Sequence, residues 1–263
     1  MRTYEKSNPE KLAITPRKKL GVAEVMPIVD PIYDAGENYK KEEGRLSPKS
    51  FFVIVSGGEV RERNYFRIIS NQDRFGYIKI EFIADRKQLN PDGLLETAKY
   101  KQERYKTSEE NMPDKIFIVS DTDHFYNDLL RIKPECQKKN ITLIISNSCF
   151  EIWLYYGKFS SKPTDFVIPK DFLKISHAFK NYIDRKVQGG INPKRAIFDI
   201  FAAIKNAKNN YEEDTHGIPK LFSTNMYMLA ESILPLISSE LEKMRIENEE
   251  REKAYRIKKL KKT

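Results

Sequence analysis

Four short apolar runs, separated by segments with helical spacing, place the tightest constraint on how this chain can fold. Each run is rich in β-branched and aromatic residues, which is typical of buried strands. The runs are FFVIVS (51–56), KIFIVS (115–120) and ITLIIS (141–146), together with YIKIEFI (77–83), in which the alternation of side chains predicts the strand. Between them, apolar residues recur at helical spacing, as in Leu94, Leu95 and Ala98 after Pro91. This alternation predicts an α/β fold with a mostly parallel four-stranded sheet and flanking helices.

The rest of the chain divides by composition. Residues 1–50 hold five of the thirteen prolines and show no periodicity, so we expect an irregular N-terminal arm before an α/β domain at 51–165. Residues 166–238 are expected to be an all-helical extension of that domain without strands, and Ser223 or Thr224 can cap its last helix. Residues 239–263 are expected to form a charged, basic C-terminal helix. Apolar residues at helical spacing predict core stripes in the extension: Phe172, Ile175, Phe179, Ile183, Ile197, Phe201, Ile204, Met228, Ile233 and Leu236.

Charge and cysteine content narrow the class of protein. The formal net charge of +9 suits a polyanionic partner such as nucleic acid. Two cysteines exclude a disulfide framework and a multi-cysteine zinc module, and no apolar run approaches a membrane span. We therefore expect a soluble cytoplasmic protein. The end of the chain, KAYRIKKLKK (253–262), either holds nucleic acid or a membrane surface, or is a solvated helix end.

Acidic residues follow three of the predicted strands at their carboxyl ends. Glu59 and Glu62 follow the first strand, Asp121 and Asp123 the third, and Glu151 the fourth. Ligands of open α/β sheets bind outside the carboxyl ends of the strands. We therefore expect these acids to converge on one edge of the sheet.

The Asp pair has the character of a metal site. In an extended segment the side chains of Asp121 and Asp123 point to the same side, and such close carboxylates repel unless a cation or proton separates them. Mg²⁺ or Mn²⁺ suits these oxygens, with Glu59 as a further ligand, and activates water for hydrolysis. Arg61 and Arg63, at a helix start beside the acids, are candidate phosphate ligands. The alternative is that both Asp residues only form turns and caps.

Three segments resemble the RloB family: SGGEVRERNYF (56–66), FIVSDTDHF (117–125) and SNSCFEIWLYY (146–156). The family carries E-G-E-x-x-E-x-N-Y-F, then D-x-D after the third strand, then S-N-P-C-F-E-x-W, and the resemblance covers about residues 50–238. It implies a Toprim-like domain that uses Mg²⁺ for phosphodiester chemistry. It also implies catalytic roles for Glu59, Glu62, Asp121, Asp123 and Glu151. The family belongs to phage-defence and abortive-infection systems, often beside an AAA-type ATPase.

The first segment departs from the family pattern. Gly57 stands where the family has its first Glu, the Toprim catalytic carboxylate, and Ser148 replaces a Pro. Glu59 can substitute if the Gly57-Gly58 loop bends it back to the edge of the sheet. Two functions therefore follow from the resemblance. One is a Mg²⁺-dependent nuclease, and the other is a decayed, non-catalytic sensor or adaptor that works with an ATPase partner.

Three further residues have two interpretations each. Cys149 is either a thiolate at a helix start or a structural thiol, and we favour the structural role. His124 is either a proton shuttle or a surface turn residue, and the second is favoured. Trp153 is interpreted as a core anchor rather than a platform for base stacking.

Overall fold

The computed structural model of the chain describes residues 50–71, 73–84, 90–107 and 112–260. Apart from Ser50, the predicted N-terminal arm lies outside the described residues. The strands in these ranges are β1 (Ser50–Ser56), β2 (Ile78–Ile83), β3 (Lys115–Asp121), β4 (Ile141–Asn147) and β5 (Ser223–Thr224). The α-helices are α1 (Arg61–Ser70), α2 (Pro91–Lys106), α3 (Tyr126–Lys138), α4 (Glu151–Tyr156), α5 (Ile175–Lys186), α6 (Pro193–Ala196), α7 (Ile200–Asn209) and α8 (Met226–Leu260).

The strands form one sheet in the order β2-β1-β3-β4-β5. β1 to β4 are mutually parallel, as predicted, and Ile54 of β1 pairs with Phe82 of β2 and Phe117 of β3. β5 is antiparallel to β4, so the described sheet has five strands instead of four, and the prediction of no strand after residue 165 is wrong. β5 is a polar two-residue segment with no apolar pattern of its own. Its pairing is supported by the contact between the Ser146 and Thr224 hydroxyls, 2.8 Å apart.

Alternate side chains of the central strands point into two separate cores, one on each face of the sheet. Val53 and Val55 of β1 pack with residues of α2 and α3. Phe52 and Ile54 face the other way and pack with residues of α1, α4, α5, α7 and α8. Both faces of the parallel strands are therefore covered, which explains the apolar runs within β1, β3 and β4, whereas the edge strand β2 carries Lys79 and Glu81.

The helices of residues 166–238, the helical region, cover one face of the sheet. Only some of the apolar residues that were predicted to form their core stripes are buried. Phe179, Ile183, Ile197 and Ile233 are buried as expected. Phe172, Phe201 and Met228 are exposed, and their assignment to the core is corrected. Helical spacing alone identifies the apolar side of a helix, whereas the packing of neighbouring elements determines how much of that side is buried.

The last helix, α8, is 35 residues long and continues through Pro235. It begins beside Thr224, whose hydroxyl accepts a hydrogen bond from the Met226 backbone N–H at 3.1 Å, as predicted for a capping residue. The charged segment from residue 239 continues this helix without a break as far as Leu260. None of the helices in the described ranges combines the length and the apolar character needed to cross a membrane.

Candidate functional site

The carboxyl ends of β1 and β3 meet where the connectivity of the sheet changes direction. From β1 the chain crosses through α1 to β2 on one side, and it then returns through α2 to β3 on the other side. The crevice at such a switch point is where open α/β sheets bind ligands. Because β4 lies next to β3, residues that follow β1, β3 and β4 share this edge of the sheet.

The turn between β1 and α1 brings the Glu62 carboxyl group back against the end of β1. The Gly58 backbone N–H donates a hydrogen bond to the Ser56 hydroxyl at 3.1 Å, which tightens this turn. A Cβ atom built on Gly58 would lie only 1.8 Å from the Glu62 carboxyl carbon, so only glycine leaves room for Glu62 here. Burial raises the pKa of the Glu62 carboxyl from 4.5 to about 7, and the charge of Glu151 adds to the rise.

The Asp pair follows β3 through a tight turn. Asp121 is the last residue of β3. The Thr122 backbone N–H donates a hydrogen bond to the Ser146 carbonyl at 2.9 Å, which ties the turn to β4. Asp123 has a left-handed φ of 27°, a region that Asp adopts more readily than most residues. The expectation that both Asp side chains project from one extended segment is therefore wrong, because the strand ends before Asp123.

The Asp121 carboxyl lies among other acids. Burial raises its pKa well above the usual range, and the charges of Glu62 and Glu151 raise it further. Asp123 adds less, and Lys180 opposes the rise. Carboxyls this close do not all ionise unless a proton or a cation separates them. A bound proton or cation would therefore relieve the repulsion within this group.

Glu151, at the start of α4, differs from Glu62 and Asp121 because two cations contact it. The residue is 2% exposed. Its Oε1 atom lies 3.0 Å from Nε of Arg61 and 3.7 Å from Nζ of Lys180. Burial lowers the pKa of Lys180, but the nearby Glu151 and Asp121 outweigh burial and raise it overall. Glu151 is therefore a buried carboxylate with its counter-ions in place.

Among the predicted acids, the structure brings Glu62, Asp121 and Glu151 together and places Asp123 at their margin. Glu59 is partly exposed in the turn before α1, and its part in the site stays a prediction.

Of the two predicted phosphate ligands, Arg61 reaches this edge through its contact with Glu151. Arg63 is partly buried in α1, and its role stays a prediction. Sequence reasoning missed Lys180, which comes from α5 in the helical region. The sequence held no local signal for it. In the structure, Lys180 lies one helical turn after Ser176, which is buried and donates a hydrogen bond to the Ser148 carbonyl at 3.5 Å, so this side of α5 packs toward the end of β4.

The three residues with two interpretations lie as follows. Cys149 is fully buried, and burial raises the pKa of its thiol well above the ordinary value, which makes it an unreactive structural thiol. His124 is exposed, and its ring lies at an angle of 43° to that of Phe125 with the ring centroids 4.0 Å apart. Trp153 is fully buried and contacts Tyr65 edge-on, which agrees with a core anchor.

A separate cavity of about 840 Å³ opens beside α5, and none of the acids described above lines it.

The donor set suits a cation that takes few protein ligands. Within the described ranges, no three His, Cys, Asp or Glu side chains are grouped so as to hold one metal ion. Glu62 nevertheless lies close enough to Asp121 for its charge to raise the pKa of the Asp121 carboxyl. Neither residue takes part in an ion pair found in these ranges. Mg²⁺ is commonly bound by one or two carboxylates and keeps its other positions for water and phosphate. These two residues therefore fit Mg²⁺ or Mn²⁺ better than a metal that needs a full protein cage.

Comparison with known proteins gives one family. A family model described as RloB: RloB-like protein matches residues 52–233. The matched range contains β2 to β5, all of β1 except its first two residues, and all five predicted acids. Searches of the curated proteins and of the solved structures returned no match.

Proposed function

The chain belongs to the RloB-like family, and from this premise we propose that it is a Mg²⁺-dependent, Toprim-type nuclease acting in phage defence. One observation carries the proposal: the carboxyls of buried Glu62 and half-buried Asp121 lie near enough at the switch point of the sheet for their charges to interact, and the pKa of each is raised. Strongly shifted acids at such a place are characteristic of functional sites, because their unfavourable burial serves no purpose in folding. A phosphodiester is the substrate class that the positive net charge of +9 favours.

In this proposal, Glu62 replaces the glutamate that the family pattern has at the position of Gly57. The Glu62 side chain folds back from the first turn of α1, so that its carboxyl lies against Gly58, the residue after Gly57. Glu62 and Asp121 would hold Mg²⁺ through their oxygens, with Asp123 at the margin of the site. Bound Mg²⁺ would polarise a phosphoryl oxygen and activate water. Because the pKa values of both carboxyls are raised, cation binding would be favoured at higher pH, where the carboxyls are ionised.

The proposal is tested by assaying cleavage of DNA and RNA by the purified chain with Mg²⁺ or Mn²⁺. Asp121→Asn and Asp123→Asn should abolish cleavage and relieve any toxicity in cells. Asp114→Asn is the matched control, because Asp114 precedes the same strand at the opposite edge of the sheet and accepts a hydrogen bond from the Phe51 N–H that Asn can still accept. Unchanged cleavage in both variants, in folded protein, would rule out the nuclease.

A second candidate is a non-catalytic sensor or adaptor that acts through an AAA-type ATPase partner. Two observations favour it: Gly57 replaces the first acid of the family pattern, and the counter-ions of Glu151 are already in place. In that case Asp121→Asn and Asp123→Asn would leave phage defence intact. Shortening the basic end of α8 would instead weaken binding to the partner or to nucleic acid.

A further inference from the structure

Arg61 and Lys180 cover Glu151 from two different helices. Arg61 opens α1, and Lys180 lies on α5, more than a hundred residues later in the chain. Their nitrogen atoms contact the same oxygen of Glu151, at 3.0 and 3.7 Å. The Glu151 side chain is 3% exposed, while the Arg61 and Lys180 side chains keep 35% and 38% of their surface exposed. The carboxylate therefore lies underneath, and the two cations lie between it and solvent.

Glu151 is a single carboxylate that forms ion pairs with two cations. Within the described ranges neither cation forms a second ion pair, although the charges of Glu62 and Asp121 act on Lys180 from nearby. Arg61 contacts Glu151 through Nε, and the terminal nitrogens of a guanidinium carry four further N–H donors. The Lys180 ammonium has three donors on a flexible stem. Both cations are therefore built to accept a further anion.

An anion bound by Arg61 and Lys180 would lie beside the acidic residues of the site. Lys180 is close enough to Asp121 to oppose the rise in the pKa of that carboxyl, and Arg61 precedes Glu62 in α1. A phosphate held by Arg61 and Lys180 would thus lie next to the carboxyls that are proposed to bind the metal. Metal-bound phosphate oxygens with cationic donors nearby are the usual arrangement for phosphoryl chemistry.

We propose that Glu151 is an anchor for Arg61 and Lys180 instead of a metal ligand, and that these two cations bind a backbone phosphate of the nucleic-acid substrate. The inference rests on the proposed function. It assigns Lys180 a substrate-binding role that its position in the helical region did not suggest. It also changes the expected role of Glu151 from catalysis to positioning.

The test measures binding of fluorescein-labelled single-stranded oligonucleotides of about 20 nucleotides, one DNA and one RNA, by anisotropy in EDTA. Lys180→Met should weaken binding about tenfold, because a charge-assisted contact is lost. It should also lower the slope of log affinity against log salt by about 0.7. Lys180→Arg should retain most of the binding. Lys186→Met is the matched control on the same helix, since Lys186 pairs with Asp165 away from the acids.

Metal binding separates the two roles of Glu151. Glu151→Gln should weaken oligonucleotide binding, as Lys180→Met does, while the same protein still binds Mn²⁺, because Glu62 and Asp121 are unchanged. Equal oligonucleotide affinities for Lys180→Met and Lys186→Met would overturn the phosphate-binding role. Loss of Mn²⁺ binding in folded Glu151→Gln would overturn the anchoring role. If the wild type binds neither oligonucleotide, both this inference and the proposed nuclease fail.

Discussion

Glu62→Gln is expected to stabilise the metal-free protein at alkaline pH, although it removes a residue of the proposed site. Burial raises the pKa of the Glu62 carboxyl from 4.5, the ordinary value for glutamate, to about 7 in the folded protein. Since one pKa unit corresponds to about 1.4 kcal/mol, ionised Glu62 destabilises the folded state by about 3 kcal/mol. Glutamine has the shape of the protonated acid and carries no charge, so the variant avoids this cost.

The sign of the pH dependence follows from the raised pKa. Between pH 4.5 and about 7, the folded protein holds a proton at Glu62 more often than the unfolded chain does. The contribution of this group to stability is therefore fully present at low pH and is lost as the pH rises through this window. Urea unfolding in EDTA should show the two proteins equally stable near pH 4.5, and the variant more stable by up to about 3 kcal/mol near pH 8.

Glu81→Gln provides a control of opposite sign. Glu81 and Glu62 are each 7% exposed, but Lys101 lies 2.7 Å from a Glu81 carboxylate oxygen. Removing the charge of Glu81 leaves that lysine without its partner, so this variant should be less stable than the wild type near neutral pH. If Glu62→Gln is no more stable than the wild type near pH 8, the assignment of Glu62 as a buried carboxyl with a raised pKa is refuted.

Two further substitutions test the geometry of the site and the core beneath it. Gly58→Ala should displace the flexible Glu62 carboxyl and weaken Mn²⁺ binding at least about tenfold without unfolding the protein, whereas Gly76→Ala, where the new Cβ meets its nearest atom at 3.5 Å, should not. Equal Mn²⁺ binding by the two alanine variants would contradict the position of Glu62. Trp153→Ala should lower the free energy of unfolding by about 3–5 kcal/mol in a urea titration, because Trp153 is fully buried. A loss below about 1 kcal/mol would mean that this side chain is not a core anchor.

The sheet was predictable because its signals are local. Each parallel strand is an apolar run with turn residues at its end, and Asn90 and Pro91 mark the start of α2, where the Asn90 side chain accepts a hydrogen bond from the Gly93 N–H. β5 was not predictable, since its two polar residues have no strand pattern of their own and pair with a strand that lies far away in the sequence. Phe201 was assigned to the core because its spacing is helical, and only the packing of α7 shows that it faces solvent.

The site was predictable as an edge of the sheet, but its internal arrangement was not. Parallel topology brings the residues after β1, β3 and β4 together, so Asp121 and Glu151 could be placed from strand order alone. The position of Glu62 depends on a side chain that folds back over Gly58, which no spacing rule describes. Lys180 reaches the edge through the packing of α5, a contact between residues far apart in the chain.

Titration of the metal-free protein with Mn²⁺, followed by EPR, tests the central claim that this carboxyl-bearing edge binds a divalent cation. The wild type and Asp114→Asn should bind Mn²⁺, and they should bind more tightly near pH 8 than near pH 6, because the site must release a proton. Asp121→Asn and Asp123→Asn should bind at least about tenfold more weakly while remaining folded. Absence of binding in the wild type at millimolar Mn²⁺, or equal binding by Asp121→Asn and Asp114→Asn, would contradict the claim.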